Sequence, residues 1–92
     1  MKIVLHTRVP YDSRYDAFLR GLLDRKIVLF CAVGVDCAAW EEAMDWACVG
    51  PGGEALGFVV TTSHPEETVA EVVEFAEMFR TDVPSVVEII EL

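Results

Sequence analysis

The most informative shortage in this sequence is of positive charge beyond residue 26. Residues 27–92 hold a single base, Arg80, against thirteen acids, whereas residues 1–26 hold six bases and three acids. The chain of 92 residues therefore carries a formal charge of -9. Because an acidic surface repels phosphate backbones, this imbalance argues against nucleic-acid binding. It suits either a solvated surface that keeps the protein soluble or a basic protein partner.

Long apolar runs and paired cysteines are also missing. The longest apolar run, residues 27–35, is about half as long as a membrane span, and only three apolar residues lie between Lys2 and His6. Neither a membrane helix nor a signal peptide is expected. Three cysteines without a Cys-x-x-Cys pair favour a reducing compartment, so we predict a cytoplasmic protein. Its length and 53% hydrophobic residues predict one domain, residues 1–92.

Strand-like and helix-like patterns alternate along the chain. Strands are predicted at residues 2–9, 27–35, 55–62 and 85–92, the last as an edge strand because two glutamates interrupt it. A first helix is expected after Asp12 or Ser13, a second from Asp36 to about Cys48, and a third after a capping box at residues 63–66. The buried stripes of the first and third helices are predicted to be Tyr15, Phe18, Leu19, Leu22 and Leu23, and Val69, Val72, Val73, Ala76 and Phe79. The pattern predicts a βαβαβαβ α/β fold with a four-stranded, mostly parallel sheet and three helices.

Right-handed crossovers leave few strand orders for this pattern. We prefer the order 2-1-3-4, and 1-2-3-4 stays open. The preferred order places the basic first helix alone on one face and both acidic helices on the other. Because one helix cannot cover four strands, we also predict association as a homodimer.

One candidate site lies at the carboxyl ends of the strands, where open parallel sheets bind ligands. Cys37 is predicted at a helix N-terminus, where the dipole favours a thiolate, and His64 is a candidate base with Asp36 beside them. The alternative is that Cys37 packs against the sheet, since it shares one side of its helix with Trp40. The preferred order also separates Cys37 from His64, because it places the first strand between the second and the third. Candidate ligand-binding residues at this edge are Arg8, Thr61 and Thr62.

The sequence gives little support for a metal site or a phosphate-binding loop. His6 and His64 lack metal-ligand spacing with Cys37 or Asp36, so no metal site is predicted. The glycine-rich segment at residues 50–53 precedes a strand and lacks the Lys-Ser/Thr of a phosphate-binding loop. We therefore predict no cofactor.

A second candidate site is the outer face of the acidic helices. At 100° per residue, Trp46 lies opposite the side of the second helix that carries Cys37, Trp40, Met44 and Ala47. An exposed tryptophan among acids is typical of a protein interface. The candidate partner-binding residues are Trp46, Glu42, Asp45, Glu67, Glu71 and Glu74. Two alternatives stay open. A loop or the second copy of a homodimer covers Trp46, or the acidic residues form only a solvated face that keeps the protein soluble.

Residues 34–67 contain Gly-x-Asp-Cys-x-x-Trp-x-x-x-x-Asp, followed by Thr-Thr-x-His and Glu67. This pattern resembles a family of small bacterial α/β proteins known as a domain of unknown function, over about residues 30–79. An aromatic residue precedes the histidine in that family, where this chain has Ser63. The resemblance implies a bacterial intracellular protein and carries no activity with it. The positions it singles out are Asp36, Cys37, Trp40, Asp45, Thr61, Thr62 and His64.

Two hypotheses follow. The leading one is a non-enzymatic interaction module, similar to immunity proteins or antitoxins in size and charge, that binds a basic partner through its acidic helices. The alternative is a small enzyme or ligand-binding protein with a Cys/His site at the carboxyl edge of the sheet.

Overall fold

The structure, a computed structural model, describes residues 1–49, 59–81 and 85–92. Within these residues four strands and three α-helices alternate, and each strand pairing is parallel, which confirms the predicted α/β fold. The elements are β1 (Lys2–Thr7), α1 (Asp16–Asp24), β2 (Leu29–Gly34), α2 (Cys37–Ala47), β3 (Val60–His64), α3 (Val69–Met78) and β4 (Val87–Glu91). The predicted glycine-rich loop at 50–53 and the first part of the predicted third strand lie outside the described residues. So do residues 82–84, where Asp-Val-Pro in the sequence predicts a turn.

The strand order is 3-2-1-4, with β1 and β2 in the centre. The preferred order 2-1-3-4 is therefore wrong, and so is the alternative 1-2-3-4. The reason lies in composition: β1 and β2 are buried along almost their whole length, whereas β3 reads Val-Thr-Thr-Ser-His and β4 contains two glutamates. Strands with polar side chains are better tolerated at sheet edges. The predicted edge position of the last strand is confirmed.

This order changes which helices share a face. The connections from β1 to β2 and from β2 to β3 step in one direction, while the connection from β3 to β4 runs back across the sheet. Right-handed crossovers then place α1 and α2 on one face and α3 on the other. The two hydrophobic clusters show this division, with Leu19 and Trp40 in one cluster and Val72 and Ala76 in the other. The expectation that the basic first helix lies alone on its face is wrong, since α3 does.

The helix interiors follow the predicted stripes. The predicted cap Asp12 begins a 3₁₀ turn (Ser13–Tyr15), and α1 follows it at Asp16. The other two predicted caps differ. Asp36 precedes α2 in the left-handed region, with φ of 58°, and its side chain does not cap the helix. The capping box of α3 is formed by Thr68 and Glu71, five residues beyond the predicted one. The predicted box at residues 63–66 fails because β3 continues to His64 in register with Val33.

The turn between β2 and α2 is fixed by close contact with the end of β1. Gly34 has φ of 105°, and a Cβ at this position would overlap the carbonyl oxygen of Thr7. The Val35 N–H donates to that same carbonyl at 3.0 Å, and the Thr7 hydroxyl donates to the Val35 carbonyl. Glycine is therefore required here by both backbone conformation and space.

Lys2 joins the sheet to the end of α3. Its side chain is buried, and Nζ donates to the carbonyl oxygens of Ala76 at 2.7 Å and Phe79 at 2.6 Å. A cation at a helix C-terminus is favoured by the helix dipole and satisfies carbonyls that lack a partner within the helix. This contact holds α3 over β1.

Candidate functional site

Cys37 and His64 do not form a pair. β2 and β3 are adjacent, so the expected separation by the first strand is wrong, but the two side chains lie on opposite faces of the sheet. Cys37 is 3% exposed and belongs to the hydrophobic cluster under α1 and α2 together with Trp40. Cys37 therefore packs against the sheet, which was the alternative to a reactive thiol. Burial also raises the pKa of the Cys31 and Cys48 thiols, which disfavours the reactive thiolate form at both.

His64 is 7% exposed and lies on the α3 face in a fully bonded network. Its Nδ1 donates to Oε1 of Glu67 at 2.7 Å, and its Nε2 lies 2.8 Å from the hydroxyl of Thr62. Because an ionised carboxylate can only accept, the proton of a neutral ring sits on Nδ1, and Nε2 accepts from Thr62. The ring of Phe75 covers the imidazole at a centroid distance of 5.2 Å. This carboxylate–imidazole–hydroxyl chain fixes β3 to the start of α3.

The other residues predicted at the carboxyl edge also have partners within the chain. The hydroxyl of Thr61 donates to Oδ1 of Asp45 at 2.6 Å on the α2 side of the sheet. Arg8 contacts Glu91 at 3.4 Å, and Oδ2 of Asp36 accepts from the backbone N–H of Tyr11 at 2.9 Å. The predicted edge residues are therefore divided between two faces and do not converge.

Two further findings concern cofactors and membranes. In the described part of the chain, no three His, Cys, Asp or Glu side chains are grouped so that they could hold a metal ion. None of the described helices combines the length and apolar character needed to cross a membrane.

A concavity lies between α1 and α2. This feature, called here the α1–α2 groove, has a volume of about 440 Å³. Its lining residues are Tyr11, Asp16, Arg20, Ala39, Glu42, Ala43, Trp46 and Ala47. Alanines along α2 leave the space open, and aromatic and charged side chains border it. Such a mixture of apolar floor and polar border is typical of a binding site.

Trp46 lies on the side of α2 that the helical periodicity predicts. It is 70% exposed, whereas Trp40 on the opposite side of the same helix is fully buried. Glu42 lines the same groove. The remaining predicted partner-binding residues are elsewhere: Asp45 binds Thr61, Glu67 binds His64, and Glu71 and Glu74 lie on α3. The expected continuous acidic surface across α2 and α3 is wrong because these helices lie on opposite faces.

Tyr11 and Asp16 form a strong contact at the border of the groove. The Tyr11 hydroxyl donates to Oδ1 of Asp16. This hydrogen bond, with smaller contributions from burial and the negative charge of Asp16, raises the pKa of Tyr11 from 10.0 to about 12. The neutral phenol is therefore stabilised in the folded state.

We expect the Tyr11 phenol to titrate near pH 12 in the folded protein and closer to 10.0 in an Asp16→Asn variant. Because the folded pKa lies above the unfolded value, this group's contribution to stability is fully present below pH 10.0 and is lost as the pH rises towards 12. Phenolate absorbance in a Tyr15→Phe background isolates Tyr11, and Asp24→Asn is the matched control. An unchanged titration in Asp16→Asn contradicts the assignment.

Sequence reasoning missed the half of the groove that comes from the first helical region. Tyr11, Asp16 and Arg20 have ordinary local surroundings in the sequence. They meet α2 only because α1 and α2 lie on the same face of the sheet. The predicted strand order placed these two helices on opposite faces. The correct order makes α1 and α2 neighbours on one face, so a contact between them is expected from it.

Comparison with known proteins gives a family and no activity. Residues 2–90 match the family described as a domain of unknown function (DUF7684). No curated protein and no solved structure matches the chain. Since the match covers nearly all of the 92 residues, the chain belongs to this family, DUF7684, a domain of unknown function.

Proposed function

We propose that this protein is a non-enzymatic interaction module that binds a basic segment of a partner protein in the α1–α2 groove. The observation that carries the proposal is the exposure of Trp46, 70%, at the border of that groove. Tryptophan and tyrosine are enriched among residues that dominate binding energy, because a flat ring buries a large area and loses few rotamers. Trp46 and Tyr11 supply two such rings to one concavity.

The charge of the molecule supports a basic partner. Glu42 and Asp16 border the groove, and Arg20 is the base among the lining residues. A chain charge of -9 attracts basic partners over distances up to about a Debye length and accelerates their association. Covering a basic site on another protein, as immunity proteins and antitoxins do, fits this arrangement.

The arrangement of polar residues gives less support to an enzyme with a Cys/His site. Cys37 is packed among apolar side chains, and His64 is covered and bonded on both ring nitrogens. Neither residue lines the α1–α2 groove. A nucleophile and its base need a shared space with a substrate, and this pair lies on opposite sides of the sheet.

Affinity capture from the source cells with matched variants tests the proposal. Wild-type protein is expected to retain a basic protein, and Trp46→Ala is expected to lose it. The control variant Met78→Ala truncates an exposed side chain on α3 and should retain the same protein. With the purified partner, Trp46→Ala is expected to raise Kd by about 30-fold or more. Glu42→Lys slows association in a salt-dependent way, whereas Glu77→Lys on α3 does so less.

Two results would contradict the proposal. One is equal retention of every captured protein by wild type and Trp46→Ala. The other is a cellular phenotype that disappears in Cys37→Ala or His64→Ala, each shown to be folded, and survives in Trp46→Ala. The second result would restore the enzyme hypothesis.

A further inference from the structure

We infer that two copies of this chain associate by antiparallel pairing of their β4 strands, with the two-fold axis at Ile89. The surface involved is separate from the α1–α2 groove, so the inference is independent of the proposed function. The occupant of this edge is a second copy of the chain.

The first observation is an unpaired backbone edge. The Lys2 N–H donates to the Val86 carbonyl at 2.8 Å, and the Leu92 N–H donates to the His6 carbonyl at 2.9 Å. Because bonded residues alternate along a parallel strand, the even-numbered residues of this segment face β1. Val87, Ile89 and Glu91 then direct their N–H and C=O groups outward. No strand of the described residues pairs with them.

The second observation is exposed apolar surface beside this edge. α3 packs over β1 and β2 and leaves β4 largely uncovered, so Ile89 is 48% exposed and Val86 is 69% exposed. A groove of about 410 Å³ lies between α3 and β4. It is lined by Val73, Glu77, Ser85, Val86, Val87 and Ile89. An exposed edge strand with unpaired backbone groups favours pairing with another strand.

The third observation is that the charges on β4 are neutralised within the chain. Arg25 makes a bidentate pair with Glu88, at 2.7 and 3.0 Å, and Glu91 is paired with His6 at 3.1 Å and Arg8 at 3.4 Å. These contacts lower the pKa of both carboxyls. Two molecules that each carry a charge of -9 repel each other, and the repulsion is weakest where acidic side chains are paired with bases of the same chain, as along β4.

The fourth argument is that one register of the antiparallel pair gives every outward backbone group of β4 a hydrogen-bond partner. With the axis at Ile89, this residue faces its own copy and Val87 faces Glu91 of the other chain. Each outward N–H and C=O group of β4 then has a backbone partner, because outward residues meet outward residues. No glutamate faces a glutamate, so the like-charge repulsion of a register centred on Glu88 is avoided.

Sedimentation equilibrium on the full chain tests the association. We expect a mass of twice 10.2 kDa for wild type at micromolar concentration. Ile89→Lys is expected to raise the dimer Kd by about 100-fold, because a lysine pair would occupy the two-fold axis. Val35→Lys, an exposed valine at the end of β2, should leave it unchanged. A wild-type monomer at these concentrations, or equal effects of both variants, overturns the inference.

Cross-linking tests the register separately. In a hydrogen-bonded antiparallel pair the Cα atoms are about 5.5 Å apart, which suits a disulfide. Ile89→Cys in a Cys48→Ser background is therefore expected to form a covalent dimer on mild oxidation. Val86→Cys, more exposed but three residues from the axis, should not. Equal cross-linking of both variants overturns the register. A dimer that is lost in Trp46→Ala but not in Ile89→Lys overturns the β4 interface and indicates association through the α1–α2 groove.

Discussion

Replacing Trp40 by alanine is expected to lower the free energy of unfolding by about 3–5 kcal/mol, the range for a large buried aromatic side chain. Trp40 is fully buried, packs against Tyr11 and Tyr15 at centroid distances of 5.4 and 4.9 Å, and donates from Nε1 to the Val9 carbonyl at 3.2 Å. The alanine variant loses the ring contacts, creates a cavity between α2 and the sheet, and leaves the Val9 carbonyl without this partner.

The same helix supplies the matched control. Trp46→Ala removes an equal volume from the exposed side of α2, and we expect it to change the free energy of unfolding by no more than about 0.5 kcal/mol. Trp40→Phe keeps most of the packing but loses the hydrogen bond, so an intermediate loss of about 1–2 kcal/mol is expected. Urea unfolding followed by far-ultraviolet circular dichroism measures all three. Similar losses for both alanine variants would contradict the described burial.

Lys2→Met is expected to lower the free energy of unfolding by about 2–3 kcal/mol. Methionine keeps the length of the side chain but removes the ammonium that donates to the carbonyls of Ala76 and Phe79. Hydrogen bonds from charged groups contribute about 1.5–3 kcal/mol each, and part of this is offset because the ammonium no longer has to be desolvated. The last turn of α3 should also lose protection from hydrogen exchange more than the rest of the protein.

Lys26→Met is the control for this prediction. Lys26 is exposed, and the same chemical change there is expected to alter stability by no more than about 0.5 kcal/mol. A Lys2→Met variant as stable as wild type would mean that the desolvation of the ammonium cancels both hydrogen bonds. The contact would then specify where α3 sits without stabilising the fold.

The element types were predictable from the sequence because periodicity reports burial directly. The stripe containing Leu19 and Leu22, the apolar run of β2 and the exposure of Trp46 are all confirmed. These features depend on residues close together in sequence. The capping box shows where local patterns become ambiguous, since both Ser63 with Glu66 and Thr68 with Glu71 match it. The choice is made by the pairing of His64 with Val33 on a neighbouring strand.

The strand order and the site were harder to predict because they depend on which elements meet. The continuous apolar run of β2 already indicated a central strand, and the order 2-1-3-4 contradicted it by placing β2 at an edge. Giving the polar Thr61 and Thr62 to an edge strand would have corrected the order. The α1–α2 groove follows from that order, whereas the burial of Cys37 depended on packing that spacing alone could not establish.

The position of Lys2 has a consequence for how this protein folds during synthesis. The first strand is central, yet its neighbour β4 and the carbonyls that Lys2 needs come more than 70 residues later in the chain. While the ribosome makes the intervening segment, β1 has an open edge and a lysine without its final partners. Folds dominated by such distant pairings form slowly, because chain entropy is lost before the contacts compensate for it. A nascent chain of this protein therefore passes through a period in which its most apolar strands need protection, and the sheet is complete only once β4 has joined β1.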